Sequence, residues 1–186
     1  MTLERFLLFV VQTLDAFEVP FMLTGPLAAA YHGSPRATQD VDLVIDEGVE
    51  VLLRFAGALR DGGFYVSDEV VKEAVRICGQ SNAIDPGSGW KADYIIRNHR
   101  PFSIAEFDDR QPLRFLGLEL SVARAEDLIV AKLERAKHGD SERQIRDATE
   151  ILAVQGEALD LARIDHWVGD LALEAQWSQI RPPTDA

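Results

Sequence analysis

The sequence predicts an α/β (α+β) fold: a mixed β-sheet with flanking helices, followed by a C-terminal helical unit. Three observations predict it. Short β-branched or apolar runs alternate with amphipathic segments up to Val122, as strands and their covering helices do. The turn-rich stretch Pro86-Gly87-Ser88-Gly89 separates two strand-like segments in the manner of a hairpin. Beyond Val122 helical periodicity takes over. The expected domains are 1–122 for the sheet, 123–180 for a helical unit packed on it, and 181–186 for a flexible tail.

Taken in order, Leu3 to Phe17 places apolar residues at helical spacing (Leu3, Phe6, Leu7, Val10, Leu14, Phe17), with Thr2 as N-cap. Pro20 ends that helix and Phe21-Met22-Leu23 reads as a short buried strand. Gly25-Pro26 opens a small-residue helix, Leu27 to Tyr31, with proline acceptable in its first turn. Gly33 to Gln39 reads as a loop, and Val41 to Ile45, short and β-branched, as a strand. A helix over Val49 to Arg60 stops at Gly62-Gly63. Phe64 to Val66 is a candidate strand, and Ser67 caps a helix reaching Cys78. Asn82 to Asp85 and Lys91 to Ile96 flank the hairpin turn, and Leu113–Phe115 and Leu118–Ser121 flank Gly117. The helical unit then runs from Ala125 to near Gly139, from Ser141 past Leu152, and from Asp160 to Leu173.

Composition narrows the function classes. With 47% hydrophobic residues in 186, the chain can bury a core. No apolar run approaches the roughly 20 residues that span a bilayer, and the start lacks the basic region of a signal peptide. No membrane association and a cytoplasmic location are therefore expected. One cysteine, Cys78, excludes an internal disulfide framework and reads as a buried apolar thiol. A net charge of −12 argues against broad phosphate binding to a large bare nucleic acid.

The segment carrying chemistry is Leu23-Thr24-Gly25-Pro26-Leu27-Ala28, then Gly33-Ser34-Pro35-Arg36-Ala37-Thr38-Gln39-Asp40-Val41-Asp42. Residues two apart on a strand project from one face, so Asp40 and Asp42 present paired carboxylates to one point. Carboxylates suit hard divalent cations such as Mg²⁺, and two such ions about 4 Å apart can serve an in-line phosphoryl displacement. Asp93, at the start of another apolar strand, is the candidate third ligand, with Asp85 in the same hairpin as its rival. Alone, Asp-x-Asp means little among 31 acidic residues. The order strand, glycine turn, small-residue helix, strand beginning with the pair gives it weight.

Gly25-Pro26, Gly33, Arg36, Thr38, Asp40-x-Asp42 and the later Asp93 resemble the DNA-polymerase-β-type nucleotidyltransferase superfamily. Tyr31 to Asp40 is similar to the small prokaryotic branch related to abortive-infection and toxin–antitoxin nucleotidyltransferases. The run Ala125 to Leu133, with Ser141-Glu142-Arg143-Gln144-x-Arg146-Asp147, looks like the helical part of an uncharacterised subfamily of that branch. The resemblance implies catalytic, metal-binding Asp40, Asp42 and Asp93 holding two Mg²⁺ ions. It implies nucleotide contacts from Thr24, Gly25, Arg36, Thr38 and Lys132, and adds Asp147 to the region. Read from the residues alone, Arg36 serves either phosphate or an ion pair with Asp46 or Glu47. His32 reads as a polar loop residue. Pro26 departs from the superfamily's Ser or Gly and removes an N–H donor from the phosphate turn.

The implied activity is Mg²⁺-dependent transfer of a nucleoside monophosphate from an NTP to a hydroxyl of an RNA end, a protein or a small molecule, possible settings being toxin–antitoxin or phage defence. Two alternatives stand beside it. One is a non-catalytic nucleotide-binding module disabled by Pro26. The other is a protein whose task is to pair with a cognate partner.

Overall fold

The computed structural model describes residues 1–139 and 141–182, so the expected tail lies, from Pro183 on, outside the described residues. Two compact units divide the chain. The first holds residues 1–27 and 37–123, the second residues 28–36 and those from Arg124 on.

The first unit is organised on one mixed sheet of six strands: β1 (Phe21–Thr24), β2 (Asp40–Ile45), β3 (Gln80–Ile84), β4 (Lys91–Ile96), β5 (Gln111–Phe115) and β6 (Leu118–Val122). Their order is β3-β4-β2-β1-β6-β5. β2 runs antiparallel to β1 and parallel to β4, while β1 is parallel to β6. Alternation along the strands decides what each face of the sheet centre carries. Val41, Leu43 and Ile45 stand in register with Ala92, Tyr94 and Ile96, and all six are buried. The opposite face carries Asp40, Asp42 and Val44 beside Lys91, Asp93 and Ile95. One period of two thus yields both a core layer and a polar layer.

The helices of this unit are α1 (Leu3–Ala16), α3 (Val49–Asp61), α4 (Asp68–Ile77) and α5 (Pro101–Asp108), while α2 (Gly25–His32) begins here and its later residues belong to the second unit. Thr2 caps α1 by accepting from the Arg5 amide, and Ser67 caps α4 by accepting from Val70. Phe55 of α3 meets Tyr94 edge-on with ring centroids 5.2 Å apart, and Phe6 of α1 lies 5.6 Å from Phe64. Helix α5 was not anticipated. Its buried residues are Phe102, Glu106 and Phe107, a set that includes a charge and gives no clean apolar stripe. The available signal was Pro101 in the first turn. Phe107 packs with Met22, Ala123 and Val44, covering part of the polar-layer face. Phe64–Val66 forms a single bridge, Tyr65 to Ile84, and no strand. Cys78 is half-buried, not a core thiol; it caps α4 in the left-handed conformation, φ 50°.

Tyr94 is 2% exposed and its hydroxyl has no hydrogen-bond partner, which leaves the desolvation of that oxygen uncompensated. Burial also pushes its pKa above the ordinary tyrosine range. Tyr94→Phe is accordingly expected to leave stability unchanged or raise it by about 1 kcal/mol, read by urea unfolding. A loss of about 1 kcal/mol or more would mean that the hydroxyl is bonded after all.

The second unit contains α6 (Ala125–His138), α7 (Ser141–Gln155), α8 (Leu161–Asp170) and α9 (Glu174–Trp177). The segment 28–36 is tied to α7, where the Ser34 hydroxyl donates to Glu150 at 2.7 Å and the Gln155 amide to the His32 carbonyl at 3.0 Å. Asp127 of α6, 0% exposed, receives a two-pronged bond from Arg163 of α8 at 2.7 and 2.8 Å. Arg181, at the start of the expected tail, is held by Asp165 at 2.6 Å. Among the described residues, no helix is long and apolar enough to cross a membrane.

Candidate active site

The parallel β2–β4 register brings Asp42 beside Asp93 and Asp40 beside Lys91, forming a four-residue charged block on one face. Asp40 is half-exposed, whereas Asp93 is 5% exposed. The rival carboxylate, Asp85, is spent in the β3–β4 turn, where it accepts from the Ser88 hydroxyl and the Gly87 amide. The Ser88 hydrogen bond holds its pKa below the ordinary carboxylate range. Asp93, not Asp85, therefore faces the pair.

Gly25 follows β1 directly and has φ +65°, a region open to glycine at little cost. A Cβ there would overlap the Asp42 carboxylate, standing 2.6 Å from its Cγ. The glycine is required twice, once for the turn into α2 and once for the close approach of Asp42. Thr24, 5% exposed, is in register with Asp42. Pro26 sits in the first turn of α2 and offers no N–H, so the next amide at that turn is that of Leu27. Thr38 is engaged with its own chain, its hydroxyl accepting from the Asp40 amide at 3.0 Å and fixing the start of β2.

Sequence reasoning missed Lys91. Its Nζ lies 2.9 Å from Asp93 Oδ2 and 3.2 Å from Asp40 Oδ1. The hydrogen bond to Asp93, with that to Asp40, holds the Lys91 ammonium above its ordinary pKa despite partial burial. The signal was present as Lys-x-Asp, matching Asp-x-Asp in spacing, but it gains meaning only through the strand register. Asp93 Oδ1 is buried and has no partner. The donor set fits a hard cation: carboxylate oxygens, one of them unspent. Lys91 thus contacts two of the three carboxylates expected to hold metal. Among the described residues, no three His, Cys, Asp or Glu side chains are gathered to hold one metal ion.

Two residues expected to contact nucleotide, Arg36 and Lys132, belong to the second unit. Lys132 of α6 donates to Asp147 of α7 at 2.7 Å, each residue being 4% exposed. Arg36 Nε lies 3.8 Å from the same oxygen. Burial lowers the Lys132 pKa, Asp147 raises it, and Arg36 and Arg135 lower it further. Asp46, one of the two carboxylates that sequence proximity offers Arg36, is instead paired with Arg97 at 2.8 Å. His32 ends α2 and is 4% exposed, so it is a packed helical residue rather than a loop residue.

No family profile matches the chain, and no curated protein matches it. Solved structures do. Crystalline ANT(2'')-Ia in complex with adenylyl-2''-tobramycin superposes with a TM-score of 0.63 over 94% of this chain and 99% of that chain, at 11% identity. The lincosamide antibiotic adenylyltransferase LnuA, lincomycin-bound, gives 0.54 over 80% and 95%, at 10% identity. An antigenic nucleotidyltransferase-like protein from Paracoccidioides brasiliensis gives 0.54 over 94% and 90%, at 13% identity. At such identities the likeness speaks for the fold, and the fold is that of nucleotidyltransferases. One of these neighbours is thus named an antibiotic adenylyltransferase, and another is bound to adenylyl-2''-tobramycin.

Proposed function

We propose that the chain is a nucleotidyltransferase that moves a nucleoside monophosphate from an NTP to a hydroxyl of a small-molecule acceptor. The observation that carries this reading is the placement of Asp42 beside Asp93, with Asp40 on the same face and Gly25 packed on the Asp42 carboxylate. The acceptor oxygen would attack the α-phosphorus, and the bond from that phosphorus to the pyrophosphate oxygen would break. Asp93 takes the hydroxyl proton, and pyrophosphate carries away the leaving electron pair. Asp40, Asp42 and Asp93 are the residues that would hold Mg²⁺. When bound, Mg²⁺ would supply charge neutralisation at the reacting phosphate. The Gly25 and Leu27 amides at the start of α2 are available to the phosphates, aided by the helix dipole. Thr24 lines that turn, and Thr38 acts by fixing the start of β2. Arg36 and Lys132 keep a proposed role as phosphate-binding cations on charge alone.

The net charge of −12 disfavours a large nucleic-acid acceptor, and neighbours named with tobramycin and lincomycin favour a small one. A toxin–antitoxin or phage-defence setting rests on motif resemblance only. The test is calorimetric titration of the four NTPs with Mg²⁺. Wild type is expected to bind at least one NTP saturably and only with metal, Asp40→Ala/Asp42→Ala to show no binding, and Lys132→Met to bind more weakly. A well-folded wild type that binds no NTP with or without Mg²⁺ would overturn the proposal. The non-catalytic, partner-binding alternative, for which the missing Pro26 donor argues, would then stand.

A further inference from the structure

We propose that Lys91 takes the place of one cation in the carboxylate block, so that the site binds a single divalent ion between Asp42 and Asp93. This deepens the nucleotidyltransferase reading and rests on it for what the ion is used for; the evidence is the placement of four charges. The register sets Asp40 beside Lys91 and Asp42 beside Asp93. All four project from one face, because residues two apart on a strand share a side.

Lys91 is already committed to two of the three carboxylates, at 2.9 Å from Asp93 Oδ2 and 3.2 Å from Asp40 Oδ1. An ammonium is a compact point charge with three donors, and here it bridges the sites two carboxylates would offer to a metal. Asp93 Oδ1 is unpartnered on a residue only 5% exposed, and such an oxygen is costly unless a donor or a cation meets it. Its neighbour across the strands is Asp42, whose carboxylate lies against the bare Cα of Gly25. Mg²⁺ is commonly held by one or two carboxylates, with substrate phosphates completing its shell.

Charge balance agrees. Three carboxylates and one ammonium leave two negative charges, which one divalent ion neutralises. A second ion would leave the block doubly positive before substrate arrives, and it would have to displace Lys91 from both of its partners. On this proposal the site holds one ion where the family resemblance implies two.

The test is Mn²⁺ titration of the full chain without nucleotide, counting bound ions from the loss of the free-ion EPR signal. Wild type is expected to bind one ion per chain, and Lys91→Arg one. Lys91→Met and Lys91→Gln should each gain a second ion, and Asp42→Asn should bind none. Two variants at position 91 guard against one failing to fold. A wild-type count of two or zero would overturn the assignment, as would one ion in every folded Lys91 variant. A count of two in a chain that binds NTP sinks only the lysine assignment. A count of one in a chain that binds no NTP supports the assignment and sinks the nucleotidyltransferase reading.

Discussion

Gly25→Ala is expected to abolish both Mn²⁺ and NTP binding while the chain still folds with reduced stability. Two separable effects act at this residue. The backbone stands at φ +65°, and holding a non-glycine residue in such a region costs roughly 1–3 kcal/mol. The added Cβ would also overlap the Asp42 carboxylate, driving that group from its place beside Asp93. A domain of this size loses roughly 2–4 °C of Tm per kcal/mol, so the backbone cost alone is visible in a thermal melt. A cycle with Asp42→Ala separates the two. With the carboxylate gone the overlap disappears and only the dihedral cost remains, so the effects on stability should be non-additive. Wild-type Mn²⁺ affinity in Gly25→Ala would show that the close approach does not position Asp42.

Arg163→Ala is expected to cost about 3–5 kcal/mol, the usual consequence of stranding a buried charge. Asp127 is 0% exposed, and its hydrogen bonds from Arg163 are 2.7 and 2.8 Å long. Burial raises the Asp127 pKa above the ordinary carboxylate value, while the bonds from Arg163 lower it. The folded state therefore holds this proton to higher pH than the unfolded state, and stability falls as pH rises through that window. Removing Arg163 removes the lowering influence and extends the window upward. The deficit of Arg163→Ala, from urea unfolding, should be smallest near about pH 4.5 and larger near about pH 7.5. An equal deficit at both would mean that the variant loses packing, not charge compensation.

The sequence shows which residues stand together along a strand and conceals which stand together across strands. Asp40 and Asp42 are legible as a pair because a period of two is local. Asp93 was legible as a strand-opening carboxylate, but its choice over Asp85 depended on hairpin register. That register is fixed by Asp85 turning back onto Ser88 and Gly87. Lys91 was invisible as a site residue because its meaning lies in standing opposite Asp40, and a lone lysine otherwise reads as solvated surface. Helices α1, α3, α4 and α6 were legible from caps and periodicity. Helix α5 was not, since Glu106 interrupts its apolar face. His32 read as a loop residue because Gly33 follows it, yet its carbonyl is bonded to Gln155, 123 residues away.

That last bond has a consequence for how the protein is made. The second unit is assembled from two stretches of sequence, 28–36 and the part beginning at Arg124, separated by the 87 residues from 37 to 123. A ribosome adds roughly 5–20 residues per second, so Arg124 leaves the peptidyl-transferase centre roughly 4–18 seconds after Arg36. During that interval Ser34 and the His32 carbonyl have no Glu150 or Gln155 to meet. The β-sheet unit can gather its strands meanwhile, whereas the helical unit can close only after translation has passed Gln155. Synthesis thus imposes an order of completion on the two units.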